Sequence, residues 1–449
     1  METLSKFYSL LSERFLDWLY YKVFIRKLDN ILGILFFVLS SFFIAYIGSK
    51  LGFAFSALIL IALGSGVFVF FCFLKPKIGY FTALILPCIF FPLDRMLGLN
   101  LPFGAIVQAV IILTLVIILA KKITFKEKGF AFLNNNVTYA FLTLFLYNLL
   151  QALNPNLTDL TGWYFVLRGN LILLSVYIVG LYLAQDIRFV KQLFIVWIGI
   201  CVVCALYACY QEWFGLLDFE RRWIHADHLR HNRIFVKGRY RKFSLLSDPT
   251  AFGILMSGTA LVTLILTLQP IKVYKKAILF GLTVILLLGM SYSGTRTAYA
   301  MLPAGLLIFL LMTFTNRNTL IFSVIGALTL GFVIFGPIYG NATINRFRTT
   351  FNADDPSLNI RDVNRQAIQP YIYEHPIGGG VMTTGDAGLK YNSGHYLAGF
   401  PPDNGYLKLA LEVGWIGLLI FLIFLFVGLR EGIKNYYRSK DPKLKIYYF

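Results

Sequence analysis

Charge is scarce in this chain. Only 14% of its 449 residues are Asp, Glu, Lys or Arg, while 58% are hydrophobic. A soluble domain carries about 25% charged residues, so an ordinary water-covered surface is excluded. Acidic residues are the scarcest. The 22 Asp and Glu stand against 41 Lys and Arg, for a formal net charge of +19. The long polar segments contain no acidic cluster and no D-x-D, so a carboxylate-held divalent cation has no evident ligand set there. Cysteine is also sparse: Cys72, Cys88, Cys201, Cys204 and Cys209 all fall inside apolar runs. Cys201 and Cys204 form a C-x-x-C within "FIVWIGICVVCALYACY", with no His or acidic residue beside them. Packing explains such thiols better than metal or redox chemistry. Residues 1–29 hold no h-region followed by a small-residue cleavage site, so no cleavable signal peptide is expected.

Long apolar runs fill the space that charge leaves. Stretches near 20 residues recur along the whole chain, and that is the length of helix needed to cross about 30 Å of hydrocarbon. The pattern predicts an all-α polytopic membrane protein with about twelve transmembrane helices. The spans fall near 30–48, 51–74, 78–93, 103–120, 137–153, 163–184, 189–210, 250–268, 274–291, 297–314, 319–338 and 403–428. Ahead of them Leu4, Phe7, Tyr8, Leu11, Phe15, Trp18 and Leu19 follow helical spacing among Lys and Arg. A basic amphipathic helix on the inner membrane face has that pattern. The short connections "KPK", "KKITFKEK", "IRFVK", "IKVYKK" and "NRN" share one side with both chain ends, including the basic tail 429–449. By the positive-inside rule that side is the cytoplasm. The domain organisation is then a cytoplasmic segment 1–29, a transmembrane domain 30–428 and the tail. Two long loops, 211–249 and 339–402, are left on the outer face, and long loops can carry positive charge across.

The outer arginines are the candidate site. Arginine grips phosphate through a planar bidentate fork and stays charged at any working pH. Arg168 lies in "TGWYFVLRGNLILL", a turn or two below the outer surface, where snorkelling to the interface is the plainer use. Arg239 and Arg241 lie in "KGRYRKFSLLSDPTAFG", just before the eighth span. Arg296 sits in "MSYSGTRTAYAM" between two apolar runs with almost no loop to hold it; intramembrane charge of this kind is usually functional. Arg361 and Arg365 are i,i+4 on a predicted amphipathic helix whose apolar stripe is Ile360, Val363, Ala367 and Tyr371. Pro376 and Gly378–Gly380 end that helix. His225, His228 and His231 in "WIHADHLRHN" give a weak metal spacing, and the surrounding arginines repel a cation; no metal and no cofactor is expected. Asp403 sits at or just before the first turn of the last span. It is placed to accept a proton from a hydroxyl and to cap that helix, two roles that do not exclude each other. Lys408 and Glu412, i,i+4 within the same span, read as a mutually neutralising pair.

The motifs "SLLSDPTAFG", "SYSGTRTA" (291–298), "RDVNRQAIQPYIYEHPIGGG" (361–380) and "DNGYLKLALEVGWIGL" (403–418), in this order and topological placement, resemble the O-antigen ligase and O-antigen polymerase superfamily. These are integral-membrane glycosyltransferases of the bacterial inner membrane. The resemblance implies a glycan donor linked to undecaprenyl pyrophosphate and an active site on the periplasmic side. It implies arginines on the pyrophosphate, with Arg296 matching the arginine of the family's S-x-S/G-x-R motif. Arg241, or failing it Arg239, matches the basic residue ahead of the eighth span. Asp403 stands where ligases often carry a histidine before Asn. That departure points to a polymerase or a divergent ligase, and His395, eight residues earlier, is the alternative base.

These readings combine into a metal-independent, inverting glycosyl transfer in surface polysaccharide biosynthesis. The pyrophosphate contacts Arg168, Arg239, Arg241, Arg296, Arg361 and Arg365. The base is Asp403 or His395. The acceptor is a hydroxyl of a glycan, of lipid A-core or of another molecule. Membrane lipid, not nucleic acid, is the partner of the remaining basic charge. The rival reading is a transporter or flippase of lipid-linked oligosaccharide. A flippase needs charge along a path through the bundle, whereas here basic residues gather on one face.

Overall fold

Apolar runs fold as helix because, without water, each backbone N–H and C=O must find its partner within the segment. The computed structural model describes residues 31–51, 53–98, 103–124, 130–236, 238–268, 271–313 and 356–440, with scattered positions between 320 and 348. Its helices are α1 (Ile31–Leu51), α2 (Phe53–Leu74), α3 (Lys77–Leu97), α4 (Phe103–Thr124), α5 (Asn136–Leu150), α6 (Leu160–Leu183), α7 (Ile187–Trp213), α8 (Asp218–His225), α9 (His228–Ile234), α10 (Pro249–Thr267), α11 (Val273–Ser293) and α12 (Arg296–Thr313). They continue as α13 (Pro356–Glu374), α14 (Gly385–Tyr391), α15 (Gly405–Glu412) and α16 (Gly414–Arg438). The strands are β1 (Phe235–Val236) and β2 (Arg239–Tyr240), one antiparallel hairpin with Phe235 opposite Tyr240. Among the described residues nine helices are long and apolar enough to cross a membrane: α3–α7, α10–α12 and α16. The protein is an all-α polytopic membrane protein. The amphipathic segment 1–29 lies outside the described residues. So do residues 339–344 and 349–355 of the second loop, and the eleventh span is described only at scattered helical positions.

The chain divides into two compact units, Met1–Tyr80 with Ile112–Glu127, and Phe81–Ile111 with Lys128–Phe449. In the first, α1 packs along α2, and Lys121 Nζ lies 5.0 Å from the centroid of the Phe73 ring. In the second, α7, α10, α11 and α12 share a core of Cys201, Cys204, Ala205, Phe252, Met256, Leu286, Ala298 and Tyr299. Small residues let these backbones approach: a Cβ on Gly289 would lie 3.1 Å from Ala205 Cβ. The same unit pairs α5 with α16 in antiparallel fashion. Asn136 Nδ2 donates to Glu431 Oε1 (2.8 Å) at one end, and Tyr147 Oη donates to the Val413 carbonyl (2.7 Å) at the other.

The scarce acidic residues are spent at helix starts. Asp159, Asp186, Asp227 and Asp248 cap α6, α7, α9 and α10, each accepting from a backbone N–H of the first turn. One predicted element is revised. The last span does not run unbroken over 403–428: it breaks at Val413–Gly414 into α15 and α16, and α16 continues to Arg438. Gly414 has φ 72°, a left-handed conformation that glycine adopts without the Cβ penalty.

Candidate functional site

The Ser293–Arg296 turn is assembled from three elements. Gly294, at φ 58°, ends α11 in the left-handed conformation, and Arg296 opens α12. Thr295 Oγ1 donates to the Pro249 carbonyl at the head of α10 (3.0 Å), and Thr295 N–H donates to Ser293 Oγ (3.2 Å). The segment after β2 closes over the turn. Lys242 N–H donates to the Tyr292 carbonyl (3.0 Å). Arg241 donates from Nε to the Ser293 carbonyl (3.0 Å) and from Nη2 to Thr295 Oγ1 (2.9 Å). Its Nη1 donates to the Arg233 carbonyl (3.2 Å). Two arginines singled out in the sequence, Arg241 and Arg296, are thus brought to one turn. The Arg241 guanidinium is spent largely on holding that turn; what it adds beyond this is its fixed charge.

The other predicted arginines fall elsewhere. Arg168, half-buried on α6, donates from Nε to Gln108 Oε1 on α4 (2.7 Å). Arg239 is exposed on β2. Arg361 and Arg365 are exposed on α13, and Arg365 pairs with Asp362 of its own helix at 2.8 Å. The stripe expected on α13 is corrected. Val363 is 65% exposed, whereas Ile368 is buried with Leu397, Leu407 and Leu411, and Tyr371, Ile372 and Phe400 pack against them. The helix turns the 368–371–372 face inward because that is where its apolar partners lie; of Val363, Ala367 and Tyr371 in the expected stripe only Tyr371 joins them.

That apolar knot positions the second candidate group. Beside it, Gly379 N–H donates to the Leu411 carbonyl (2.8 Å) and Gly380 N–H to the Glu412 carbonyl (2.9 Å), so the triple-glycine turn lies on the α15–α16 break. The carbonyls of Ile377 and Gly378 accept from the amides of Gln151, Asn154 and Asn156. Asn404 caps α15, its Oδ1 accepting from Leu407 N–H at 2.8 Å. Asp403 is therefore not the cap. Its Oδ2 is buried without a hydrogen-bond partner among the described residues, a state shared by Asp94 Oδ1 and Asn170 Nδ2. A buried carboxylate oxygen with no donor is costly unless something else meets it. Lys408 and Glu412 do pair, at 3.9 Å, and Glu412 also accepts from Thr384 Oγ1 (2.5 Å).

His395 sits at the edge of the same knot. Its Nδ1 accepts from Leu397 N–H (3.1 Å), so the neutral ring carries its proton on Nε2. Burial pushes its pKa below the usual histidine range, helped by His375 nearby and opposed by hydrogen bonding to the Asn156 main chain. The histidine triplet of α8 and α9 does not converge. The His225 and His231 rings lie 4.9 Å apart at a 30° tilt, while His228 faces Asn232. No group of three His, Cys, Asp or Glu fit to hold a metal occurs among the described residues. The two long loops meet where Arg233 of α9 pairs with Asp386 of α14 at 3.4 Å.

Sequence reasoning passes over Arg95. It closes the last turn of α3, is buried, and donates to the carbonyls of Ser244 and Leu246. A solitary arginine ending the proline-containing run "LPCIFFPLDRML" is the one local signal for it.

No curated protein and no solved structure matches the chain. Residues 252–422 match the family model described as O-antigen ligase. The matched stretch contains Arg296, Arg361, Arg365, His395 and Asp403, and it leaves Arg168, Arg239 and Arg241 upstream. This stretch runs from the head of α10 through the Ser293–Arg296 turn to the first half of α16, and over it the chain is similar to the O-antigen ligases.

Proposed function

We propose that this protein transfers a glycan from undecaprenyl pyrophosphate to an acceptor hydroxyl, on the periplasmic side of the bacterial inner membrane, with both termini cytoplasmic. The coarse part of this reading, surface polysaccharide biosynthesis of the O-antigen ligase or polymerase type, follows from the family. The observation that carries the finer part is the convergence of Arg241 and Arg296 on one turn inside the same unit as Asp403.

The chemistry is a displacement at the anomeric carbon. The acceptor oxygen forms the new bond to C1 as the bond from C1 to the pyrophosphate oxygen breaks, so the configuration inverts. The electron pair leaves with undecaprenyl pyrophosphate. Arg296, opening α12, meets the growing negative charge, and Arg241 adds a charge that its carbonyl and hydroxyl partners keep fixed. Charge placed before the reaction costs no reorganisation and is often the largest catalytic contribution. Arg168, Arg239, Arg361 and Arg365 extend the basic surface along which the donor approaches. Asp403 takes the acceptor's proton: its buried oxygen already lacks a donor, and a hydroxyl supplies one. His395, the other candidate base, has its Nδ1 lone pair committed to Leu397 N–H.

Purified protein given lipid-linked donor and, in turn, each acceptor class tests this reading by the size of the products. A ladder means a polymerase; a single addition to lipid A-core means a ligase; both persist in EDTA. Outward movement of lipid-linked sugar without a new glycosidic bond would instead establish a flippase.

A further inference from the structure

Ser244 has a φ of 53°, in the left-handed region that a side chain makes unfavourable. Such strain persists where the surroundings over-determine it, and it clusters at functional sites. Here each polar group of the residue is held. Ser244 N–H donates to Gln211 Oε1 (3.0 Å), its hydroxyl donates to the Cys204 carbonyl (2.6 Å), and its own carbonyl accepts from Arg95 Nη1 (2.8 Å). The other terminal nitrogen of Arg95 donates to the Leu246 carbonyl. The same guanidinium lies 4.7 Å from the centroid of Trp223 and 4.4 Å from that of Phe243, within cation–π range. Gln211 is itself tied down, donating to the buried Glu220 carboxylate at 2.7 Å.

Arg95 is 6% exposed at the end of a span. Its fork donates to main chain about 150 positions later. Two residues before Ser244 comes the Lys242 N–H bonded to Tyr292, and one before that is Arg241, bonded to Ser293 and Thr295. We infer that Arg95 is a positioning residue, clamping the left-handed turn at Ser244 and so setting Arg241 and the Lys242 amide against the Ser293–Arg296 turn. It touches no reacting atom. The part of this inference that concerns the donor rests on the proposed function; the part that concerns the turn does not.

Arg95→Lys tests both. Lysine keeps the charge but cannot lay two coplanar donors on two carbonyls. Hydrogen exchange on the purified full-length protein reads the turn. In the variant the Lys242 and Ser244 amides exchange at least tenfold faster, while the amides of α10 and α11 keep their protection. Equal exchange in variant and parent overturns the inference, whatever the enzyme assays give. So does general loss of protection, which would make Arg95 a folding residue only. Kinetics then reads the consequence. KM for the lipid-linked donor rises about tenfold, acceptor KM is unmoved, and Arg95→Lys combined with Arg241→Lys is no worse than Arg241→Lys alone. Additive losses, or a rise in acceptor KM instead, would overturn the link to Arg241. A parental protein that transfers no sugar would sink the proposed function, and the exchange result would still decide the clamp.

Discussion

The roles proposed for Arg296 and Asp403 can each be checked by one exchange of atoms. Arg296→Lys keeps the charge and loses the fork. A hydrogen bond to a charged group is worth about 1.5–3 kcal/mol, and a tenfold change in rate corresponds to about 1.36 kcal/mol. Transfer should therefore fall about 10- to 100-fold, with membrane insertion unchanged; near-parental turnover would mean that Arg296 merely anchors α12. Asp403→Asn leaves the fold alone, because Asn404 already caps α15. It removes a proton acceptor, and a general base contributes about 10²–10⁴-fold. The expected result is a loss of transfer of that order with donor affinity little changed, and partial recovery in Asp403→His, since imidazole can act as base near neutral pH. Parental rates in Asp403→Asn would move the search for the base elsewhere. Both residues stand out in the sequence for the same reason: each is a charge beside apolar runs. Arg95 has that property too, yet its meaning lies in two carbonyls far along the chain, which no local pattern encodes.

At the scale of elements, hydropathy found the nine spans that the described residues show and missed the break in the last one. The reason is visible in "LALEVGWIGLL": the apolar run passes straight through Val413 and Gly414, and a backbone turn leaves no trace in hydropathy. What interrupts the helix is another piece of backbone. Gly378 has φ 79°, and a Cβ built there would run into the Glu412 carbonyl and the Gly414 nitrogen. The partners are main chain and cannot rotate aside. Gly378→Ala should therefore cost about 1–3 kcal/mol from the backbone conformation, with a further overpacking cost of about 1–3 kcal/mol. The measurement is the melting temperature of the purified protein. Gly394→Ala is the control, since a Cβ there meets nothing within 4 Å. If the two variants melt together with the parent, the triple glycine is only a loop. The α13 stripe failed for a related reason: two overlapping helical stripes fit the periodicity, and the choice of Ile368 over Val363 was made by Leu397, Leu407 and Leu411, whose location the helix's own sequence does not contain.

For the whole molecule, scarcity of acid organises the reading. With 22 acidic residues against 41 basic ones, the structure places many of the acids in fixed duties. Asp159, Asp186, Asp227 and Asp248 cap helices, and Glu220, Glu412 and Glu431 accept from named donors. The ordinary value of the Asp159 carboxyl is lowered by its hydrogen bonds to Thr161, as expected of a cap. Asp403 stands apart from that group. Composition alone could show that acid is rare; only the fold shows that Asp403 and Asp94 each bury a carboxylate oxygen without a partner among the described residues. The same holds for the arginines. The sequence assembles six of them into one outer surface by topology, and the fold sorts them into a turn, a helix face, a hairpin and a span.

The joint between the triple glycine and the α15–α16 break is made by atoms every amino acid possesses. It therefore carries no side-chain code that a partner could learn to read. A damaging change at Gly378 or Gly414 has no complementary change across the contact to repair it, and in a genetic screen such alleles should yield true revertants but no allele-specific suppressors at the facing residue. Exposed Arg239 and Arg361 sit under no such restriction.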